Sequence, residues 1–424
     1  MTTTDAAAGK LPGSTTNPMR NVILMWLSQL MVMSGFDAAM PYIPLFIGNQ
    51  YGLADPERGV YVAIFNFVGA LAYAVFCPVW GTLSDRYGVK IMLLRGTFLT
   101  ALFFPMMGYV TRPWMLIVLR GITAGCAGTT AAANILLAKT VPENRQGFAL
   151  GLLGTGYWAG SVLGQMIGGF IVDGWGFRAA FWVCGILYVL AGVCCVFAQD
   201  APRMPRRETS TPRRETSARR RQLPWFTRGV WIMLLLICFY MLVRRFEIPY
   251  VAMLIEIITG PEKAAFWTGI IGAATCVGAV LSGVVIGYLA DRLPARTIIL
   301  PALLLTAALM AVGAYTDNLL MLGASRTLMF FCGGSLYPVL QKLLSAITPP
   351  RKRGKVFGWS STFANSGIML STLLSGWTIF VFGTRGVFYT AALLTLVLIP
   401  ATLWGIRRAM AQPYYRAHAG KRRS

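Results

Sequence analysis

The chain has 424 residues, of which 56% are hydrophobic and 12% charged, with a mean hydropathy of +0.61. That is too apolar for a soluble domain of this length and points to a protein embedded in lipid. A net charge of +23 would suit a nucleic-acid partner only if the basic residues gathered into one groove.

A membrane-spanning helix needs about 20 mostly apolar residues, because backbone N–H and C=O groups in hydrocarbon must be satisfied within the segment. In chain order such stretches are read at 22–47, 61–80, 91–110, 114–138, 148–172 and 179–198. A second set follows at 230–258, 264–289, 297–315, 319–347, 356–382 and 387–406. The fold class expected is an all-α membrane protein of twelve transmembrane helices in two pseudo-symmetric six-helix bundles, 19–200 and 228–408. Residues 1–18 form a Thr-, Ala- and Gly-containing tail, expected to be disordered, without the basic-then-apolar order of a secretory signal. Residues 201–227 form an Arg-rich linker with no apolar periodicity, and 409–424 a basic tail.

The basic residues are not gathered. Of 38 Lys and Arg, 29 fall in the even-numbered connections and the two tails, and only five (Arg58, Arg112, Arg178, Lys263 and Arg385) in the odd-numbered loops. This bias places the even connections and both termini in the cytoplasm, in a multi-pass protein of the bacterial inner membrane. It argues against nucleic acid as a partner and for the lipid bilayer, whose anionic headgroups the linker arginines would attract. The eight cysteines all lie in apolar spans without the spacing of a metal site, so packed thiols and no metal are expected.

The sequence also repeats itself at an offset of 206 to 208 residues. GTLSDRY from Gly81 aligns with GYLADRL from Gly287, so Asp85 and Arg86 meet Asp291 and Arg292. Arg120 meets Arg326, Arg178 meets Arg385, and Pro41-Tyr42 meets Pro249-Tyr250.

The loop GTLSDRYGVK resembles the G-x-L-x-D-R-x-G-R-K signature of the major facilitator superfamily, with Val89 where that family commonly has Arg. The resemblance implies a cytoplasmic gating loop. In it Asp85 accepts hydrogen bonds, Arg86 and Lys90 supply counter-charges, and Gly81 and Gly88 allow close backbone approach, with Asp291 and Arg292 as the weaker copy. LIVLRGITAGCAGTTAAA resembles the L-x-x-x-R-x-x-x-G pattern of the drug:proton antiporters of that superfamily, which singles out Arg120. GSVLGQMIGG from Gly160 resembles their G-x-x-x-G-P-x-x-G-G signature, with Gln165 in place of the proline. Gly156, Gly160, Gly164 and Gly168, spaced by four, would lie close to one helix face and let another helix approach, with Gly169 beside them. Across nearly the whole chain the resemblance is to bacterial multidrug exporters of the twelve-helix antiporter group.

The sole histidine, His418, is in the tail, so carboxylates must carry any proton, and Asp37, Glu247 and Glu256 are the intramembrane ones. At 1.5 Å per residue Asp37 lies about 15 Å, and Arg120 about 9 Å, from the outer ends of their helices, which makes a pairing possible. Burial disfavours a charge and a neighbouring opposite charge favours it, so a change in their separation would load and release a proton. Arg245 stands opposite Asp37 in the repeat, while Arg244 and Glu247 are spaced to pair on one helix face, leaving Arg245 for an anionic group. Asn66, Asn134, Tyr157, Trp158 and Asn365, with Asp37, Arg245, Gln165, Trp267 and Trp359, are candidates for a mainly apolar substrate cavity. No G-x-x-x-x-G-K-[ST] loop is present, so nucleotide-powered pumping is not expected, nor is any cofactor or enzymatic role. The expected function is proton-coupled efflux of small hydrophobic or amphipathic compounds by alternating access, in a chain acting as a monomer. An importer or facilitator of a small anionic metabolite is the alternative.

Overall fold

A computed structural model of the chain describes residues 18–200 and 227–410, apart from 294, 335, 350 and 351, without the side chains at 18, 85, 143, 144, 287, 290, 291, 295, 296 and 410. Both tails, the linker and His418 lie outside the described residues. No strand occurs among those described.

The first half opens with α1 (Pro18–Ala39), which passes through a 3-10 turn at Met40–Tyr42 into α2 (Ile43–Tyr51). It continues through α3 (Asp55–Tyr87), α4 (Val89–Met107), α5 (Pro113–Cys126), α6 (Thr129–Thr140), α7 (Glu143–Trp175) and α8 (Phe177–Phe197). The second half repeats the plan. Its α9 (Arg228–Arg245) passes through a 3-10 turn at Ile248–Tyr250 into α10 (Val251–Thr259). Then follow α11 (Pro261–Arg292), α12 (Ala295–Tyr315), α13 (Leu319–Gly333), α14 (Leu336–Ile347) and α15 (Arg353–Met410).

Breaks fall at matching positions in the two halves. Pro41 and Pro249 open the two 3-10 turns, where a missing N–H forbids a regular helix. The fourth rod of each half is also interrupted, between Cys126 and Thr129 and between Gly333 and Leu336. In the first of these Gly128 takes a φ of 125°, which a side chain would oppose.

Among the described residues, ten helical stretches are long and apolar enough to cross a membrane. One of them, Arg353–Ala409, is two limbs of α15 that meet at Gly383, whose φ of 70° and ψ of −177° are not helical. The 33-residue α7 is not among the ten, because its many glycines dilute its hydropathy. Twelve spans are therefore reached only by counting α7 and dividing α15.

Packing within each half depends on small residues. Gly156, Gly160, Gly164 and Gly168 of α7 lie over the backbone carbonyls of Trp26, Leu30, Ser34 and Ala38 of α1, one every four residues along both helices. A methyl group at any of them would meet a carbonyl oxygen well inside van der Waals distance. The second half shows the same arrangement where Gly367 of α15 lies over the carbonyl of Cys238 in α9. Gly169 departs from the set: it turns to the other half and lies against Ala265 and Gly269 of α11.

The halves meet along two seams, α7 on α11 and the first limb of α15 on α3. Gly59 rests on Ile379 and Gly376 on Ala63 in one seam, and Phe170 meets Phe266 edge to face at 5.3 Å in the other. The contacts gather at the end of the bundle where α2, α7 and α10 finish. Toward the opposite end, which carries the α3–α4 loop, Gly147, Gly151, Gly154, Gly354 and Gly358 flank open space, and Trp158 and Trp359 are exposed. The bundle is thus shut at one end and open at the other.

Candidate solute and proton site

The interrupted rods bring their charged residues to one level near the middle of the bundle. Asp37 lies one turn before the 3-10 turn of the first half, and Arg244, Arg245 and Glu247 lie at the matching place in the second. Arg120 in α5 and Arg326 in α13 approach these sites from the fourth rods.

In the second half Arg326 and Glu247 form a forked ion pair, with Nη1 donating to Oε2 at 2.7 Å and Nη2 to Oε1 at 3.4 Å. Glu247 is fully buried and Arg326 is 6% exposed. The expected pairing of Glu247 with Arg244 is not formed, and the backbone explains why. Helix α9 ends at Arg245, so residues 244 and 247 no longer share a continuous helical face. Arg244 instead lies over the Phe330 ring at 3.6 Å and beside Tyr240.

The first half is arranged differently. No ion pair joins Asp37 to Arg120 among the described residues. The Arg120 guanidinium sits 5.5 Å from the Phe36 ring and 5.4 Å from the Phe65 ring, pressed against Gly69, with its Nε shut in and without a hydrogen-bond partner. Asp37 is half-buried, near Ser161 of α7 and within electrostatic range of Arg245 of the other half. Arg245 is exposed and has neither an ion pair nor a hydrogen bond among the described residues. Gln165, at the family's proline position, reaches across the seam, where its Nε2 donates to the Cys276 Sγ at 3.0 Å. Residue 165 is therefore used as a contact between halves, and α7 runs through it unbroken.

The remaining cavity candidates divide. Tyr157 and Trp158 meet edge to face at 5.4 Å on α7, Trp158 exposed and Tyr157 half-buried beside Asp37 and Arg245. Asn66 and Asn134 donate to carbonyls of their own helices, Val62 at 2.9 Å and Thr130 at 3.0 Å. Asn365 is half-buried on α15. Trp267 lies elsewhere: it lines an apolar recess of about 600 Å³ between α11 and α13.

At the open end, Lys90 donates to the carbonyl of Val196 at 2.6 Å, tying the α3–α4 loop to the end of α8. Gly88, with a φ of 100°, lies against the Asp200 carboxylate. Arg86 and Arg292 are exposed over Tyr87 and Tyr288. Gly81 flanks open space, and the side chains of Asp85 and Asp291 lie outside the described residues.

Sequence reasoning did not identify Arg58. It is 5% exposed at the shut end of α3 and binds Glu256 of α10 at 2.6 Å and Asp55 of its own helix at 2.5 Å. It is one of few basic residues in the odd-numbered loops, and that scarcity was the available signal. The eight cysteines are all unpaired, and no metal-holding cluster occurs among the described residues.

Four similarities to known proteins accompany this geometry. A family model described as Major Facilitator Superfamily matches residues 25–262 and 249–422. Multidrug resistance protein MdtG of Rahnella sp. (strain Y9602) is 26% identical over 412 residues, 96% of this chain and 98% of that protein. Among solved structures, a bacterial homologue of the human lysosomal transporter Spinster, inward-facing and unoccupied, superposes with a TM-score of 0.72 at 15% identity, covering 95% of this chain and 100% of that one. A D-xylose-proton symporter superposes with a TM-score of 0.70 at 17% identity, covering 91% and 99%. At these identities the two structures speak for the fold alone.

Proposed function

From the premise that this chain belongs to the Major Facilitator Superfamily, and is a multi-pass secondary transporter rather than an enzyme, we propose that it exports small hydrophobic or amphipathic compounds in exchange for protons. The compounds leave the cytoplasm across the bacterial inner membrane by alternating access. The observation that carries this reading is Asp37. It is the carboxylate at the junction of the halves that is left without an ion pair among the described residues, half-buried near Ser161. Glu247 is spent on Arg326, and Glu256 on Arg58. A buried carboxylate that is free to change protonation is what proton coupling requires.

On the basic bias of the even connections we read the open end as facing the cytoplasm, which makes this the solute-loading arrangement. Rocking of the halves about the central level would then open the other end. The Rahnella relative is named a multidrug resistance protein, which supports drug-like compounds as the solutes. A second reading, import or facilitated movement of a small anionic metabolite, is favoured by the exposed, unpaired Arg245. Retention of a lipophilic dye in cells tests the choice. Cells expressing the chain are expected to hold less dye than cells without it, and an uncoupler should abolish the difference. Greater dye retention in the expressing cells, or an uncoupler-resistant difference, would contradict proton-driven export.

A further inference from the structure

We infer that the recess between α11 and α13 is a binding site for a membrane phospholipid, with one acyl chain lying in the recess and the phosphate held at its mouth by Lys263. The recess measures about 600 Å³, within the range of about 300–1,000 Å³ over which sites for small organic molecules are found. Gly278 marks the level where the two helices touch, since a methyl group there would run into the carbonyl of Thr327. Nearer the shut end, small residues leave the space between the helices unfilled. These are Ala274 of α11 with Gly323 and Ala324 of α13. Between helices in backbone contact such a furrow suits an extended hydrocarbon chain better than a third helix, which is about 10–12 Å across.

The lining is apolar, and it faces the lipid. Its one hydroxyl, that of Thr327, donates to the carbonyl of Gly323 at 2.8 Å, so a sugar or other polar solute would lose its hydrogen bonds on entering. The recess also opens away from the seam between the halves. Ala274 and Gly278 stand about half a turn around α11 from Gly272 and Cys276, which meet Gln165 of α7. On the recess side Leu281, Leu320 and Leu328 are exposed, in a span that only acyl chains surround.

The mouth carries the polar groups that fix which apolar molecule fits. Lys263 lies one turn before Trp267 on the same face of α11, exposed and without an ion pair among the described residues. The Trp267 indole N–H likewise has no hydrogen-bond partner among the described residues. Both sit in the first two turns of α11 at the shut end, the depth where headgroups give way to acyl chains. An ammonium there complements a phosphate. The neighbouring carboxylates do not compete for it: Glu262 is turned about 100° off the recess face, and Asp317 is bound to Arg385.

Photolabelling tests this whichever solute the chain moves. The purified full chain is placed in nanodiscs of phosphatidylglycerol carrying a diazirine on one acyl chain, irradiated, and its adducts mapped by peptide mass spectrometry. Adducts are expected at 270–281 and 320–331, well above the level on other exposed faces. Ala324→Phe, which fills the recess, should bring them down to that level. Val284→Phe, at an exposed position of α11 outside the recess, should leave them unchanged, and size-exclusion profiles confirm that both variants fold. Lys263→Gln should lower the adducts about threefold, as loss of an exposed charge pair does. A diacylglycerol with the same diazirine chain and no phosphate should label no better than that variant. Adducts spread evenly over all exposed faces, or indifferent to Ala324→Phe or to Lys263→Gln, would overturn the inference. So would a dimer in native mass spectra that Ala324→Phe abolishes, which would give the recess to a second copy, or displacement of the adducts by a lipophilic dye, which would give it to the solute.

Discussion

Arg326 and Glu247 form a buried ion pair in the second half, while Arg120, which Arg326 mirrors across the repeat, has no ion pair among the described residues. The position matching Glu247 in the first half is Ala39, which is buried and apolar. The duplicated scaffold is therefore electrically asymmetric: the fourth-rod arginine is paired in the second half and not in the first, where Asp37 keeps no ion pair among the described residues.

The ion pair should be structural. Replacing Glu247 with Gln or Arg326 with Leu leaves one charge buried without its partner, a cost of about 3–5 kcal/mol. A large fall in the thermal midpoint of the detergent-solubilised protein is expected from either change. Glu247→Leu combined with Arg326→Leu should recover much of that loss, and a double variant as unstable as the single ones would contradict the assignment.

The glycine face gives a positional prediction. Gly160→Ala or Gly164→Ala drives a methyl group into the carbonyl of Leu30 or Ser34, with an overpacking cost of about 1–3 kcal/mol. Gly151→Ala, which meets open space on the same helix, should fold like the parent or slightly better. Folded yield by size-exclusion chromatography with thermal melts would separate the two classes.

The shut end should depend on Arg58. Its bond to Glu256 is a charged contact that joins the halves there, amid apolar and glycine contacts. Glu256→Gln removes a charge-assisted hydrogen bond of about 1.5–3 kcal/mol that exists only while this end is closed. A shift of about tenfold or more toward the opposite conformation is expected. Distances between spin labels at the exposed positions Glu57 and Glu262 should lengthen accordingly, and an unchanged distribution would show that Arg58 plays no part in closure.

Much of this architecture was legible in the sequence because a bilayer imposes few solutions. The small residues spaced by four are the ones that lie on α1, and the aligned Pro41 and Pro249 fall in the two 3-10 turns, although neither the partner helix nor the turns follow from the spacing alone. Pairing of side chains was far less legible. Arg244 and Glu247 are well spaced for a helical pair, yet the chain leaves the helix between them. Asp37 and Arg120 are at compatible depths, but depth says nothing of rotation about the helix axis, and Arg120 turns to Phe36 and Phe65. Trp267 has the composition of a cavity residue and lines a recess between α11 and α13 instead. Each of these turns on side-chain direction, which periodicity alone does not fix in a helix buried on several sides.

The most direct test of proton-driven export uses liposomes containing the chain, with a proton gradient imposed across them and a fluorescent amphipathic compound as the reporter. The parent protein should move the compound against the direction of proton flow and build up a concentration difference, and Asp37→Asn should exchange the compound across the membrane without building one. Undiminished gradient-driven accumulation by Asp37→Asn would contradict the account at its centre.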